Sequence, residues 1–118
     1  MTADLTFAEV IEANRVRCLK WHDQDSEQWT GADWSNAMCG EAGETANVVK
    51  KLRRHETRTS SPMDPPEDVL RSALADEIAD TFLYLALLAD HYGVDMPSAI
   101  VSKFNKVSER QGFPDRLP

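Results

Sequence analysis

The chain has 118 residues, with 13 lysines and arginines against 20 aspartates and glutamates, and therefore a formal net charge of −7. A domain of this length buries roughly two thirds of its unfolded surface, so residues 1–118 are expected to fold as a single domain without a disulfide or a structural metal. The acidic balance argues against a protein that coats a nucleic-acid polymer, because that affinity comes from clustered lysines and arginines.

The first residues indicate a cytoplasmic protein. The N-terminus lacks a basic segment followed by a long apolar run, which a secretory signal requires. The longest apolar-rich stretch, residues 78–89, is too short to span a bilayer and contains Asp80. Cys18 and Cys39 form no CxxC pair, so neither a disulfide framework nor a zinc site is expected.

Two helices are predicted in the first half of the chain. Thr6 and Glu9 have the spacing of a capping box and begin a helix over about residues 7–24. A second helix carries apolar residues at helical spacing from Trp34 to Leu52 and ends in a basic cluster, which suits the helix dipole. Residues 57–66 contain three prolines and predict an irregular connection within one domain.

Two further helices are predicted in the second half. The third covers residues 67–92 and is closed by Gly93, and the fourth begins at Asp95, has Pro97 in its first turn and runs to about residue 111. No convincing strand pattern is present, so the predicted fold class is all-α, a four-helix bundle-type domain. The third helix is apolar on nearly all sides, which predicts a homo-oligomer, with this helix at the subunit interface.

Four carboxylates lie on helix faces that are otherwise apolar. A helix turns about 100° per residue, which places Glu41 and Glu44 on the apolar stripe of the second helix and Glu77 and Asp80 among core residues of the third. Unpartnered buried carboxylates are costly, and mutual repulsion adds to the cost. A divalent cation removes both problems, and oxygen ligands suit Mg²⁺, with Mn²⁺ as a possible substitute. Alternatively, these residues pair with lysine or arginine, or lie on a solvated rim.

Two segments carry a family resemblance. The sequences GEAGE at residues 40–44 and DEIADTFLYLALLADHYGVD at residues 76–95 resemble the all-α nucleoside triphosphate pyrophosphatases of the MazG-like superfamily, nearest to the dCTP pyrophosphatase-like branch. The resemblance covers about residues 25–113. It implies hydrolysis of a (d)NTP to the monophosphate and pyrophosphate with Mg²⁺, by homodimers or homotetramers of helical bundles that maintain nucleotide pools.

The resemblance also implies site residues. The metal-binding and catalytic positions correspond to Glu41, Glu44, Glu77 and Asp80. Basic substrate-binding positions of the fourth helix correspond to Lys103 and Arg110, which could alternatively be ordinary solvated charges.

The chain departs from the family pattern at three places. Gly40 stands where many relatives have a glutamate that is often proposed as the base. Val107 replaces an asparagine four residues after Lys103, and Asn105 is the nearest substitute for substrate binding. The acidic motifs are separated by residues 45–76, a longer connection than is usual.

The tryptophans before the first acidic motif are candidates for binding the base. Trp29 and Trp34 could stack on it, although Trp34 heads the apolar stripe and could instead fill the core. The base and sugar stay open, and residues 56–66 could set specificity. Two other hypotheses remain beside the pyrophosphohydrolase: a non-catalytic module that binds metal or nucleotide, and a purely structural helical protein.

Overall fold

The computed structural model describes residues 4–21 and 29–118, and this part of the chain forms four helices: α1 (Phe7–Trp21), α2 (Gly31–Glu56), α3 (Glu67–His91) and α4 (Met96–Gln111). No strand occurs within these residues, so the predicted all-α class is confirmed. The predicted last turn of the first helix, residues 22–24, lies outside the described residues.

Reciprocal capping boxes fix the starts of α1 and α2. The Thr6 N–H donates to Glu9 Oε2 at 2.8 Å, while the Glu9 N–H donates to Thr6 Oγ1 at 3.2 Å. Thr30 and Asp33 repeat this pattern at 2.8 and 3.2 Å and begin α2. The first box is predicted from the sequence. The second follows the same rule with aspartate in place of glutamate.

The corner between α3 and α4 forms as the sequence predicts. Gly93 adopts a left-handed backbone with φ 66°, which only glycine accepts without strain. The Val94 N–H donates to the Ala89 carbonyl at 2.8 Å, and this bond closes the end of α3. Asp95 Oδ1 then accepts from the Ser98 N–H at 3.2 Å and begins α4.

The connection between α2 and α3 is irregular, as predicted, and side chains hold it against α2. Arg54 Nε donates to Asp64 Oδ2 at 3.0 Å, and Arg54 Nη2 donates to the other carboxylate oxygen. A ring nitrogen of His55 lies 2.8 Å from the Pro65 carbonyl oxygen. The proline-rich segment therefore returns along the last turn of α2 before α3 begins.

The main packing unit is the pair α2 and α3, with α1 against α3. Cys18, Trp34 and Leu87 form a buried cluster in the core. Helix α4 makes no comparable contact with another described helix. The radius of gyration is 17.8 Å, whereas a compact chain of this length is expected at about 13 Å. Among the described helices, none combines the length and apolar character needed to cross a bilayer.

Candidate active site

Two antiparallel helices bring the acidic residues together. At one end of the pair, Gly31 of α2 approaches Tyr92, the residue that follows α3, so closely that a Cβ on the glycine would overlap the tyrosine oxygen. In the middle of the pair, Thr45 and Thr81 meet, with their Oγ1 atoms 3.3 Å apart. The facing stripes of the two helices therefore lie against each other at the level of the carboxylates.

The two threonines make this contact one turn after Glu41 and Glu77. Thr45 Oγ1 donates to the Glu41 carbonyl at 3.0 Å, and Thr81 Oγ1 donates to the Glu77 carbonyl at 2.7 Å. Each hydroxyl thus binds the backbone of the glutamate four residues before it, while the two hydroxyls contact each other between the helices. Because residues four apart lie on the same side of a helix, this contact is made on the sides of α2 and α3 that carry Glu41 and Glu77.

Three carboxylates form a compact cluster. Oxygen atoms of Glu41, Glu77 and Asp80 all lie within 4.8 Å of one another. Glu41 and Glu77 are half-buried, and Asp80 is exposed. Glu44 lies outside this group of three, yet close enough for its negative charge to raise the pKa of both Glu41 and Glu77.

Among the described residues, no ion pair links the cluster to a lysine or an arginine. Within the same residues, Glu77 Oε2 is buried without a hydrogen-bond partner. Burial and the nearby carboxylates of Glu44 and Glu41 raise the pKa of Glu77 to about 7. Burial also raises the pKa of Glu41, and the charges of Glu44 and Asp80 add to the rise.

This chemistry fits a divalent cation. A cation between the two helices would supply the partner that Glu77 Oε2 lacks and would remove the repulsion within the cluster. The ligand set of carboxylate oxygens suits Mg²⁺ or Mn²⁺ better than a metal that prefers sulfur or imidazole.

A cavity of 410 Å³ opens beside the cluster. Glu41 and Asp80 contribute to its wall, together with two side chains of α1 and three aromatic side chains: Asn14, Arg17, Trp29, Trp34 and Tyr84. The rings of Trp29 and Trp34 lie with their centroids 4.5 Å apart, tilted by 44°. Trp34 belongs to the core as well, while Trp29 is half-buried at the surface of that core. The two tryptophans therefore form an aromatic side of a cavity that also contains carboxylates.

The predicted residues of α4 lie elsewhere. Lys103 lines an apolar groove between α3 and α4, and Arg110 is exposed in the last turn of α4. The amide of Asn105 binds the C-terminal tail, because its Nδ2 donates to the Leu117 carbonyl at 3.0 Å and its Oδ1 accepts from the Leu117 N–H at 2.7 Å. The structure thus accounts for Asn105 without a substrate.

Helix α1 contributes cavity residues that the sequence analysis does not single out. Asn14 is only 6% exposed and donates through Nδ2 to the Leu83 carbonyl at 2.8 Å. The sequence contains a signal for this position. Asn14 lies four residues from both Val10 and Cys18, so its amide lies on the same side of α1 as these two apolar residues.

Comparison with known proteins identifies the family of the chain. The model of the MazG nucleotide pyrophosphohydrolase domain matches residues 31–113. The chain is 35% identical over 81 residues to dCTP pyrophosphatase 1 of Mus musculus, covering 69% of this chain and 44% of that protein. The figures for dCTP pyrophosphatase 1 of Rattus norvegicus are the same. The chain thus spans less than half the length of these two relatives, and it belongs to the MazG nucleotide pyrophosphohydrolase domain family.

Proposed function

We propose that this chain is a Mg²⁺-dependent nucleoside triphosphate pyrophosphohydrolase that converts a (d)NTP of the cytoplasmic pool to the monophosphate and pyrophosphate. The observation that carries this proposal is the single cavity in which the carboxylates of Glu41 and Asp80 lie together with the rings of Trp29 and Trp34. Such a cavity offers a metal site for the phosphates and flat apolar surfaces for the base. The names of the two relatives make dCTP the substrate to test first.

The carboxylates of α2 and α3 have the central part in the proposed mechanism. Glu41, Glu77 and Asp80 would hold the cation, with Mn²⁺ as a possible substitute for Mg²⁺. When bound, the cation supplies neutralisation of the charge that develops on the phosphates, and it orients the attacking water. The threonine contact beneath the cluster keeps the ligands in place, and the aromatic side of the cavity holds the base away from the reacting phosphorus.

The proton of the attacking water needs an acceptor, and Gly40 cannot provide one. Glu44 lies beside the three-carboxylate group without being part of it. It serves either as a fourth metal ligand or as the acceptor of this proton. Glu44→Gln separates the two roles. If Glu44 is a metal ligand, the variant loses the Mg²⁺-induced rise in melting temperature. If Glu44 accepts the proton, the variant keeps this rise and loses turnover.

We also propose that the protein functions as a homodimer or homotetramer. Exposed apolar side chains on α3 and α4 support this, and they include Ile78 at 54% and Phe104 at 43% exposure. Lys103 and Arg110 do not line the cavity of their own chain, so the proposed contact with substrate phosphates requires α4 of a second copy.

The test of the proposed function is pyrophosphate release from the canonical dNTPs with Mg²⁺, with Mn²⁺ and with EDTA. Metal-dependent release, lost in Glu41→Gln and Asp80→Asn with an unchanged helical circular dichroism spectrum, is the expected result. Asp76→Asn is the matched control, since it replaces an exposed carboxylate of α3 next to the cluster. Full activity of Glu41→Gln would refute the assignment.

The second candidate function is a module that binds metal or nucleotide without hydrolysis. Gly40 favours this second function, because a glycine stands where many relatives have the glutamate that is often proposed as the base. A Cβ at residue 40 would meet no atom within 4 Å. Nucleotide binding in a calorimeter without pyrophosphate release would identify this function. If so, Gly40→Glu would be the variant to assay for restored turnover, since the space around residue 40 accommodates a side chain.

A further inference from the structure

We propose that Asn14 reads the exocyclic group of the bound base and selects cytosine over uracil and thymine. This inference rests on the proposed function, because it assumes that the base of a nucleotide occupies the aromatic part of the 410 Å³ cavity. It assigns the selection to α1, which lies outside the residues that the family model matches.

The amide of Asn14 is held in one orientation. Its Nδ2 donates to the Leu83 carbonyl oxygen at 2.8 Å, and the residue is 6% exposed. Rotation of the amide by 180° would place Oδ1 against that carbonyl oxygen, which cannot donate a hydrogen bond. The contact with α3 therefore decides which end of the amide is free.

The free end is an acceptor. Within the described parts of the chain, no donor forms a hydrogen bond to Asn14 Oδ1, although Asn14 is part of the cavity wall. Polar groups that are largely removed from water normally have a partner, and a ligand that brings a donor supplies the missing one. Asn14 Oδ1 is therefore the atom that this residue can offer to a hydrogen-bond donor of a bound base.

The pyrimidine bases differ at this type of contact. Cytosine carries an amino group at position 4, which donates to an acceptor, whereas uracil and thymine carry a carbonyl oxygen there. A carbonyl that faces Asn14 Oδ1 would leave two acceptors unpaired and poorly hydrated, and such mismatches are strongly rejected. Stacking on Trp29 and Trp34 does not distinguish the bases in this way, because every base has a π-face.

The first experiment uses the unmodified protein. Values of kcat/KM are measured for dCTP, for dUTP and for the triphosphate of deoxyribosyl 2-pyrimidinone, which lacks any group at position 4. We expect dCTP to exceed dUTP by about tenfold or more, with the 2-pyrimidinone compound between them. Equal values for dCTP and dUTP would overturn the inference.

The second experiment compares Asn14→Leu with Asn47→Leu, a control on an exposed position of α2. In Asn14→Leu, we expect kcat/KM for dCTP to fall about tenfold while the value for dUTP changes by less than about threefold. A purely structural contribution of Asn14 would lower both values equally, and this outcome would contradict the inference. The comparison of substrates on the unmodified protein decides the question if the variant does not fold.

Binding of non-hydrolysable substrates separates this inference from the proposed function. Calorimetry with the α,β-imido analogues of dCTP and dUTP needs no turnover. Preferential binding of the cytosine analogue without hydrolysis of any dNTP would support base selection by Asn14 and refute the proposed hydrolytic activity. Hydrolysis with equal binding of both analogues would refute base selection by Asn14 and support the hydrolytic activity. Binding of neither analogue would also refute base selection by Asn14.

Discussion

At the scale of single residues, Glu77 links the stability of the protein to pH and metal. Its pKa is about 7 in the folded chain, above the ordinary 4.5, because of burial and the neighbouring glutamates. Between these two values the unfolded chain releases the proton before the folded chain does, so the free energy of unfolding falls as pH rises. In EDTA, we therefore expect the melting temperature to decrease from pH 5 to pH 8.

The variant Glu77→Gln tests this assignment. We expect a weaker dependence of the melting temperature on pH than in the unmodified protein, and a higher melting temperature in EDTA at pH 8, because no charge has to be formed in the cluster. Mg²⁺ should raise the melting temperature of the unmodified protein and not that of Glu77→Gln. An identical pH dependence in Glu77→Gln and in the control Asp76→Asn would show that Glu77 is not the titrating group.

At the scale of helices, the contact between Thr45 and Thr81 holds α2 and α3 in register. Replacement of either threonine by valine removes a hydroxyl from this contact and should lower the free energy of unfolding by about 1 kcal/mol. The double variant should lose less than the sum of the two, because both changes remove the same contact and the valines can pack on each other. Urea denaturation in EDTA measures these values, and strictly additive losses would mean that the threonines act independently.

The connection between α2 and α3 is the second feature at this scale. The Arg54 guanidinium lowers the pKa of Asp64 to about 2, and the Ser61 N–H contributes to the shift. The resulting stabilisation is present above the ordinary value of 3.8 and is lost as pH falls toward 2. Asp64→Asn should therefore melt at a lower temperature than the unmodified protein at pH 7, with the difference shrinking at pH 3. Glu67→Gln, which breaks an exposed pair on one helix, is the control and should have little effect.

The same elements show what sequence reasoning reaches. Helix ends are local, so the Thr6 and Glu9 capping box and the turn at Gly93 could be predicted from a few neighbouring residues. The facing carboxylates follow from helical periodicity and from the antiparallel arrangement of two consecutive helices. The tie between Arg54 and Asp64 has no periodic signal, because it depends on how an irregular segment folds back.

The sequence alone does not predict which side chains of α1 and α4 reach the site. Asn14 reaches the cavity only because α1 packs against α3, and its spacing alone does not distinguish a cavity residue from a core residue. Lys103 and Arg110 have the chemistry to bind phosphate, but the position of α4 in one chain keeps them out of the cavity. Motif spacing identifies a side chain, whereas its neighbours depend on the docking of whole helices.

At the scale of the whole molecule, one apolar surface extends over α3 and α4. A shallow cavity of 310 Å³ includes Ile78 and Phe82, and a groove of 600 Å³ includes Ile100 and Phe104; both contain Leu85. Leu85 is 39% exposed in the single chain. Large contiguous apolar patches are uncommon on monomeric proteins, so this surface agrees with the proposed association of identical chains.

Leu85→Glu tests both the assembly and its part in catalysis. A charge at the point that the two cavities share should convert the oligomer to monomers in light scattering at micromolar concentration, because the carboxylate would have to be buried at the interface. Ser72→Glu, on an exposed position of α3, is the control and should leave the oligomer intact. A monomeric unmodified protein would refute the assembly. If Lys103 and Arg110 act from a second copy, the Leu85→Glu monomer loses turnover, because these contacts with the phosphates are missing. It retains its Mg²⁺-induced rise in melting temperature, since the three proposed ligands, Glu41, Glu77 and Asp80, come from one chain.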